Sequence, residues 1–136
     1  MGLAALDIGD ARIGVAVSDD SGVSVRGVGV VARKGGAHDL AAIARMLTPH
    51  EVSRIVIGLP LNMDGTEGRQ ASRVRAFGDR LRVHLGIPID FWDERLTTFE
   101  AEERLRSLGL KAKRRRALID QVAAEVILRA YLDHHA

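Results

Sequence analysis

The chain has 136 residues and a mass of 14.8 kDa, the length of one ordinary domain and too short for two that each bury a core, so a single domain over 1–136 is expected. Hydrophobic residues at 46%, charged residues at 28%, and only 14 Gly and 3 Pro exclude disordered, collagen-like and low-complexity chains. Zero Cys excludes disulfides, thiolate metal sites, iron–sulfur clusters and cysteine nucleophiles.

No apolar run approaches the roughly 18 residues of a membrane span. Met1-Gly2-Leu3 lacks the basic start of a signal peptide, and a cytoplasmic protein with no membrane partner is expected. The balance of 20 Lys and Arg against 18 Asp and Glu is only +2, so the distribution of charge matters more than its total. Acidic residues dominate the start (Asp7, Asp10, Asp19, Asp20 against Arg12 and Arg26). Arg104, Arg106, Lys111, Lys113, Arg114, Arg115 and Arg116 follow one another with no acid among them, which points to a polyanion partner.

In chain order, Leu3 to Ile8 is an apolar run broken by Asp7, Gly9-Asp10 is a turn, and Ile13, Val15 and Val17 alternate, so a β-hairpin is predicted. A third strand carries Val23, Val25, Val28 and Val30; its alternation slips at Arg26-Gly27, where a bulge is predicted. Leu40, Ile43, Ala44 and Leu47 recur at helical spacing up to Pro49. Arg54 to Leu59 then reads as a strand buried on both faces, followed by a loop from Leu61 to Gly68.

A helix from Arg69 carries Val74, Phe77, Leu81 and Leu85 on one stripe, flanked by Arg69, Arg73 and Arg80 on one side and by Arg75 and Arg82 on the other; Gly86 and Pro88 stop it. Ile87 to Trp92 is the fifth strand, and Thr97-x-x-Glu100 has capping-box spacing for a helix through Leu108. A last helix is predicted over Ala117 to Leu132. This order implies an α/β fold, a mixed five-stranded sheet flanked by helices, in which strands one, four and five run parallel and end at one edge.

That edge is the usual ligand crevice of open α/β sheets, and it collects Asp7, Gly58-Leu59-Pro60 and Asp93-Glu94. Asp93 and Glu94 alternate on a strand, so which one faces the crevice depends on where the strand ends. Asp120 shares a helical stripe with Ala123, Ala124 and Ile127 and so lies on a close-packing face where a carboxylate needs a partner. Each acid has an ordinary alternative: Asp7 as a turn residue, Glu94 as a surface charge paired with Arg95 or Arg104, Asp120 as a helix-start residue at the positive end of the dipole. An oxygen-only set without Cys favours Mg²⁺ or Mn²⁺ over Zn²⁺. The five His are scattered, and neither a nucleophile elbow nor a phosphate-binding glycine loop of the Walker type is present.

Four segments, LDIGDARIGVAVSD, GLPLNMDGTEG, DERLTT and IDQVAAEVIL, stand in an order and spacing that resemble the YqgF family of RuvX-type Holliday junction resolvases over essentially the whole chain. The resemblance implies an RNase H-like fold and a divalent-metal-dependent nuclease. It implies catalytic and metal-binding roles for Asp7, Glu94 and Asp120, with Asp7 bridging two Mg²⁺ or Mn²⁺ ions about 3.5–4 Å apart. It also implies one of two activities, junction resolution, the first expectation, or 5′ maturation of precursor 16S rRNA, so the expected partner is branched DNA or structured RNA. Nucleic-acid contacts are expected from Arg12, Arg69, Arg73, Lys111, Lys113, Arg114, Arg115 and Arg116, and a homodimer is expected if a junction is to be cut symmetrically. Gln121 is expected to project away from the site.

Two rival readings have features that argue against them. An actin-like ATPase shares the Asp-x-Gly hairpin but needs two such domains to enclose ATP. A non-catalytic nucleic-acid-binding module has no reason to hold three acids beside a polyanion, which they repel unless a cation intervenes.

Overall fold

The computed structural model describes residues 2–22, 24–95, 103, 107 and 112–135. Among them are five strands, β1 (Gly2–Ile8), β2 (Arg12–Ser18), β3 (Val25–Ala32), β4 (Val52–Leu59) and β5 (Ile89–Asp93), and three helices, α1 (Gly36–Leu47), α2 (Arg69–Leu85) and α3 (Ala112–His134). The strands form one mixed sheet in the order β3-β2-β1-β4-β5; β1 is antiparallel to β2 and parallel to β4, which is parallel to β5. The predicted helix around Thr97 to Leu108 falls largely outside the described residues.

Strand periodicity sorts side chains onto two faces. Ala4, Leu6 and Ile8 of β1 and Ile55, Ile57 and Leu59 of β4 pack with Ile43 of α1 and Val74, Phe77 and Leu81 of α2. The opposite face is built small: Ala5, Ala16 and Val56 meet Ala124, Ile127 and Leu128 of α3. Asp7 lies on this second face, paired in register with Gly14 of β2. A Cβ on Gly14 would overlap the backbone carbonyl of Asp120, and one on Gly27 would overlap the Gln121 side chain. The glycines therefore let α3 lie directly on β2 and β3, which sets Asp120 above the end of β1. Gln121 packs over β3, away from Asp7, as expected.

Three expectations shift in detail. The extra residue of the β3 bulge is Val28, between Gly27 paired with Ala16 and Gly29 paired with Val15, two residues beyond Arg26. Strand β5 runs from Ile89 to Asp93, because Pro88 offers no N–H and Gly86 closes α2 in the left-handed conformation at φ 70°. Helix α3 starts at Ala112, five residues before the predicted Ala117, so Lys113–Arg116 belong to its first turns and not to a preceding loop. Asp120 consequently stands two turns inside the helix, which removes its helix-start reading.

Gly14→Ala is expected to destabilise the fold by about 3 kcal/mol, the upper part of the range for overpacking, because the clash is with backbone. Gly86→Ala, with open space around the Cβ but a left-handed φ, should cost only about 1 kcal/mol. Urea unfolding checks both, and an equal cost for the two would show that α3 does not rest on Gly14.

Candidate active site

Asp7 sits one residue before the end of β1, and Glu94 is the first residue past β5. The Glu94 N–H donates to the Leu59 carbonyl at 3.3 Å, which carries the β4–β5 alignment one residue beyond the strand. Glu94 is thereby turned onto the α3 face, where its Oε2 occupies the space a Cβ of Gly58 would need. Its carboxyl is hydrogen-bonded to that of Asp7.

Burial, the nearby Asp120 charge and the Glu94 contact together leave the Asp7 carboxyl raised to about 6; the first two raise it and the hydrogen bond from Glu94 partly offsets them. Burial, then the charge and hydrogen bond of Asp7 and the charge of Asp93, push Glu94 up to about 8. Two half-buried carboxylates at this separation cannot both ionise cheaply, so at neutral pH they hold a proton between them.

Asp120 reaches the same edge from α3 but is engaged by Arg12, whose Nε donates to Oδ2 at 2.7 Å; the Asp120 side chain is 17% exposed and that of Arg12 48%. Asp93 points the other way. Its carboxylate takes Arg95 Nε at 2.9 Å and Nη2 at 2.6 Å, contacts that hold it below the usual carboxylate range. The end of β5 at Asp93 thus resolves the choice the sequence left open: Glu94, not Asp93, faces Asp7.

Asp7 and Glu94 offer hard oxygen donors to one spot over a residue without a side chain, a donor set that suits Mg²⁺ or Mn²⁺. Among the described residues no three acidic or histidine side chains converge closely enough to hold one ion as they stand. Asp120 would complete such a set on release from Arg12.

Of the expected nucleic-acid contacts, Arg12 lies at this site, and Arg69 and Arg73 lie exposed on α2. Lys111 falls outside the described residues; Lys113, Arg114, Arg115 and Arg116 are on the first turns of α3, and their side chains are not described. Gly58 was legible only as a strand end, since nothing local in a sequence reports that a glutamate 36 positions later needs its missing Cβ. Trp92 packs edge-on against Tyr131 and His134, and Asp90 accepts from Tyr131 Oη and Arg54, a structural cluster behind the site.

In the cation-free protein the raised carboxyls make a signed prediction. Groups whose folded pKa lies above the ordinary value contribute stability that is full at low pH and lost as pH rises. The window runs from ordinary values of 3.8 and 4.5 up to about 8. Thermal unfolding in EDTA should show a melting temperature that falls across this window, and Glu94→Gln should flatten the fall and raise the melting temperature at pH 8.

The family model described as "RuvX: Holliday junction resolvase" matches residues 1–134. A protein of Anaeromyxobacter dehalogenans named as a pre-16S rRNA nuclease is 50% identical over 131 residues, covering 96% of each chain. Among solved structures, Thermus thermophilus RuvC in complex with a Holliday junction superposes with a TM-score of 0.65 at 16% identity, over 99% of this chain and 96% of that one. The fowlpox virus resolvase bound to junction DNA gives 0.61 at 10% identity over 99% of both. These neighbours fix the fold as RNase H-like, of the RuvC type, as the sequence motifs implied. With the match running nearly end to end, the chain belongs to the RuvX family, and so to the enzymes that hydrolyse phosphodiester bonds.

Proposed function

We propose that the protein is a divalent-metal-dependent endonuclease for structured nucleic acid, with Asp7, Glu94 and Asp120 as its catalytic carboxylates. The observation that carries this reading is the Asp7–Glu94 pair, two acids forced together at the sheet edge with Asp120 close enough to perturb Asp7. A fold gains no stability from such a pair, and perturbed groups of this kind cluster at functional sites. A bound divalent cation would supply positive charge for the developing transition state and a nucleophilic water at neutral pH.

The chain's own residues have distinct parts. Asp7 and Glu94 would hold the cation through their carboxylate oxygens, with loss of the proton between them. Asp120 would join them on release from Arg12, and Arg12, half exposed at the start of β2, would then be free to pair with a phosphate oxygen of the strand being cut. Lys113–Arg116 lie on the same helix as Asp120, one to two turns earlier, and this basic run of the sequence is the segment assigned to the polyanion.

Between the two substrates, precursor 16S rRNA is favoured by the relative that shares half of its residues with this chain and carries that name. This reverses the order expected from the motifs. Junction resolution is the second reading, supported by the family's description and by the fold likeness to junction-bound RuvC. Cutting two strands symmetrically needs two active sites, whereas trimming one RNA end needs one.

Purified protein with Mg²⁺ or Mn²⁺ should therefore process a precursor rRNA fragment as a monomer and leave a four-way DNA junction largely whole. Paired nicks across the junction by a dimer, with the RNA untouched, would transfer the assignment to the second reading. Asp7→Asn should remove at least about 99% of cleavage, the scale of a missing catalytic group, while leaving nucleic-acid binding near wild type. Glu94→Gln should follow it, and Asp93→Asn should retain most activity. The reverse order for Glu94 and Asp93 would overturn the site.

A further inference from the structure

A cavity of about 560 Å³ opens on the other side of β1 from Asp7. It begins at Ile8 and Gly9 and runs between the start of α1 and the exposed side of α2. Its walls carry three guanidinium groups, Arg33, Arg73 and Arg80, against one exposed acid, Asp10, and one buried acid, Asp39.

Asp39 does not oppose an anion there, because its charge is already engaged. It is fully buried, and burial alone would raise its carboxyl. The backbone N–H of Lys34 at 3.0 Å, His38 Nδ1 at 3.1 Å and Arg33 Nε at 3.3 Å outweigh that and hold it below the usual carboxylate range. The same contacts fix Arg33, which also donates Nη1 to the Gly9 carbonyl at 3.0 Å and lies over the Phe77 ring at 5.4 Å. Arg33 is thus an oriented guanidinium, not a loose surface charge.

Of the five arginines of α2, Arg73 and Arg80 line the cavity and Arg69, Arg75 and Arg82 do not. Arg75 is bidentate to Glu67 and Arg82 pairs with Asp79, both away from the cavity. Arg73 and Arg80, which face it, have no carboxylate within ion-pair distance among the described residues. Arg80 Nη1 reaches to 3.2 Å from the Cβ position of Gly36, the first residue of α1, and the N-cap Gly35 offers that helix no side-chain acceptor. Two guanidinium groups with no carboxylate partner among the described residues therefore meet the start of α1, whose first turn already holds the Asp39 carboxylate, beside an arginine fixed from behind.

We propose that this cavity is a phosphate subsite, in which Arg73 and Arg80 bind a backbone phosphate of the substrate strand beside the start of α1, while the Arg33–Asp39 pair forms its fixed wall. The inference rests on the nuclease reading above, since it takes the ligand to be the nucleic acid that crosses the lip of β1 to reach Asp7. Free phosphate shares the same chemistry, and the two sources separate experimentally.

The test compares wild type, the double variant Arg73→Ala/Arg80→Ala and the control Arg82→Ala. Binding is measured in EDTA to a precursor rRNA fragment and to a DNA duplex, each over a range of salt, and cleavage with Mg²⁺. The double variant should fold normally by circular dichroism, because both side chains are exposed. It should bind about tenfold more weakly, as expected when charged hydrogen bonds are removed, and its log K against log salt slope on duplex DNA should flatten by about 0.9 for each phosphate no longer neutralised. KM should rise with kcat nearly unchanged, and Arg82→Ala should match wild type. Inorganic phosphate, followed by backbone amide shifts at Gly36 and Ala37, should bind weakly and be displaced by the nucleic acid. Unchanged binding and salt slope in the double variant would overturn the subsite, and phosphate binding that nucleic acid does not displace would assign the cavity to a free phosphate instead. Failure of wild type to bind or cleave any nucleic acid would fault the nuclease reading itself.

Discussion

The hydrogen bond between the Asp7 and Glu94 carboxyls is the interaction around which this molecule is arranged. Burial removes the water that would screen the two charges, and Asp120 adds a third nearby, so the pair persists at neutral pH only by sharing a proton or a cation. The surrounding fold keeps the groups from separating. Parallel β1, β4 and β5 end at one edge, Gly58 leaves room for the Glu94 carboxyl, and Gly14 lets α3 bring Asp120 within range.

The two faces of the sheet divide the electrostatic labour. On the α3 side stand the three acids and Arg12, whose guanidinium takes the Asp120 charge in place of a cation. On the α1 and α2 side stand Arg33, Arg73 and Arg80, of which Asp39 pairs with Arg33 and fixes it, leaving Arg73 and Arg80 with no carboxylate partner among the described residues. Acids that face a polyanion without a cation would repel it, and arginines on the neighbouring face give that polyanion somewhere to rest beside the acids. A nearly neutral chain thus carries an acidic cluster and arginines without acid partners on opposite faces of one sheet edge.

Much of this was legible in the sequence because it follows from local pattern. Alternation gave the hairpin and its bulge to within two residues, the glycine and proline after Leu85 gave the end of α2, and strand order gave the convergence of Asp7 with the end of β5. What was hidden depends on contacts distant in the chain. No local pattern says that Arg12 will pair with Asp120, 108 residues on, or that Arg33 will be pinned by Asp39 and Gly9. The first five residues of helix α3 are hidden in the sequence because consecutive Lys and Arg carry no apolar period, although both are good helix formers. The choice of Glu94 over Asp93 needed the strand's last residue, and strand ends are what propensity locates worst.

On the proposed reading, a cation bound between Asp7 and Glu94 would take the place of the proton that their raised carboxyls retain, and binding would expel it. Calorimetric titration of the protein with Mn²⁺ in two buffers of different ionisation enthalpy measures both binding and the protons released with it. About one proton per binding event should be released near pH 7, with the release falling toward zero well above the Glu94 value of about 8 and absent in Glu94→Gln. Binding without proton release, or release that survives Glu94→Gln, would contradict the shared-proton site.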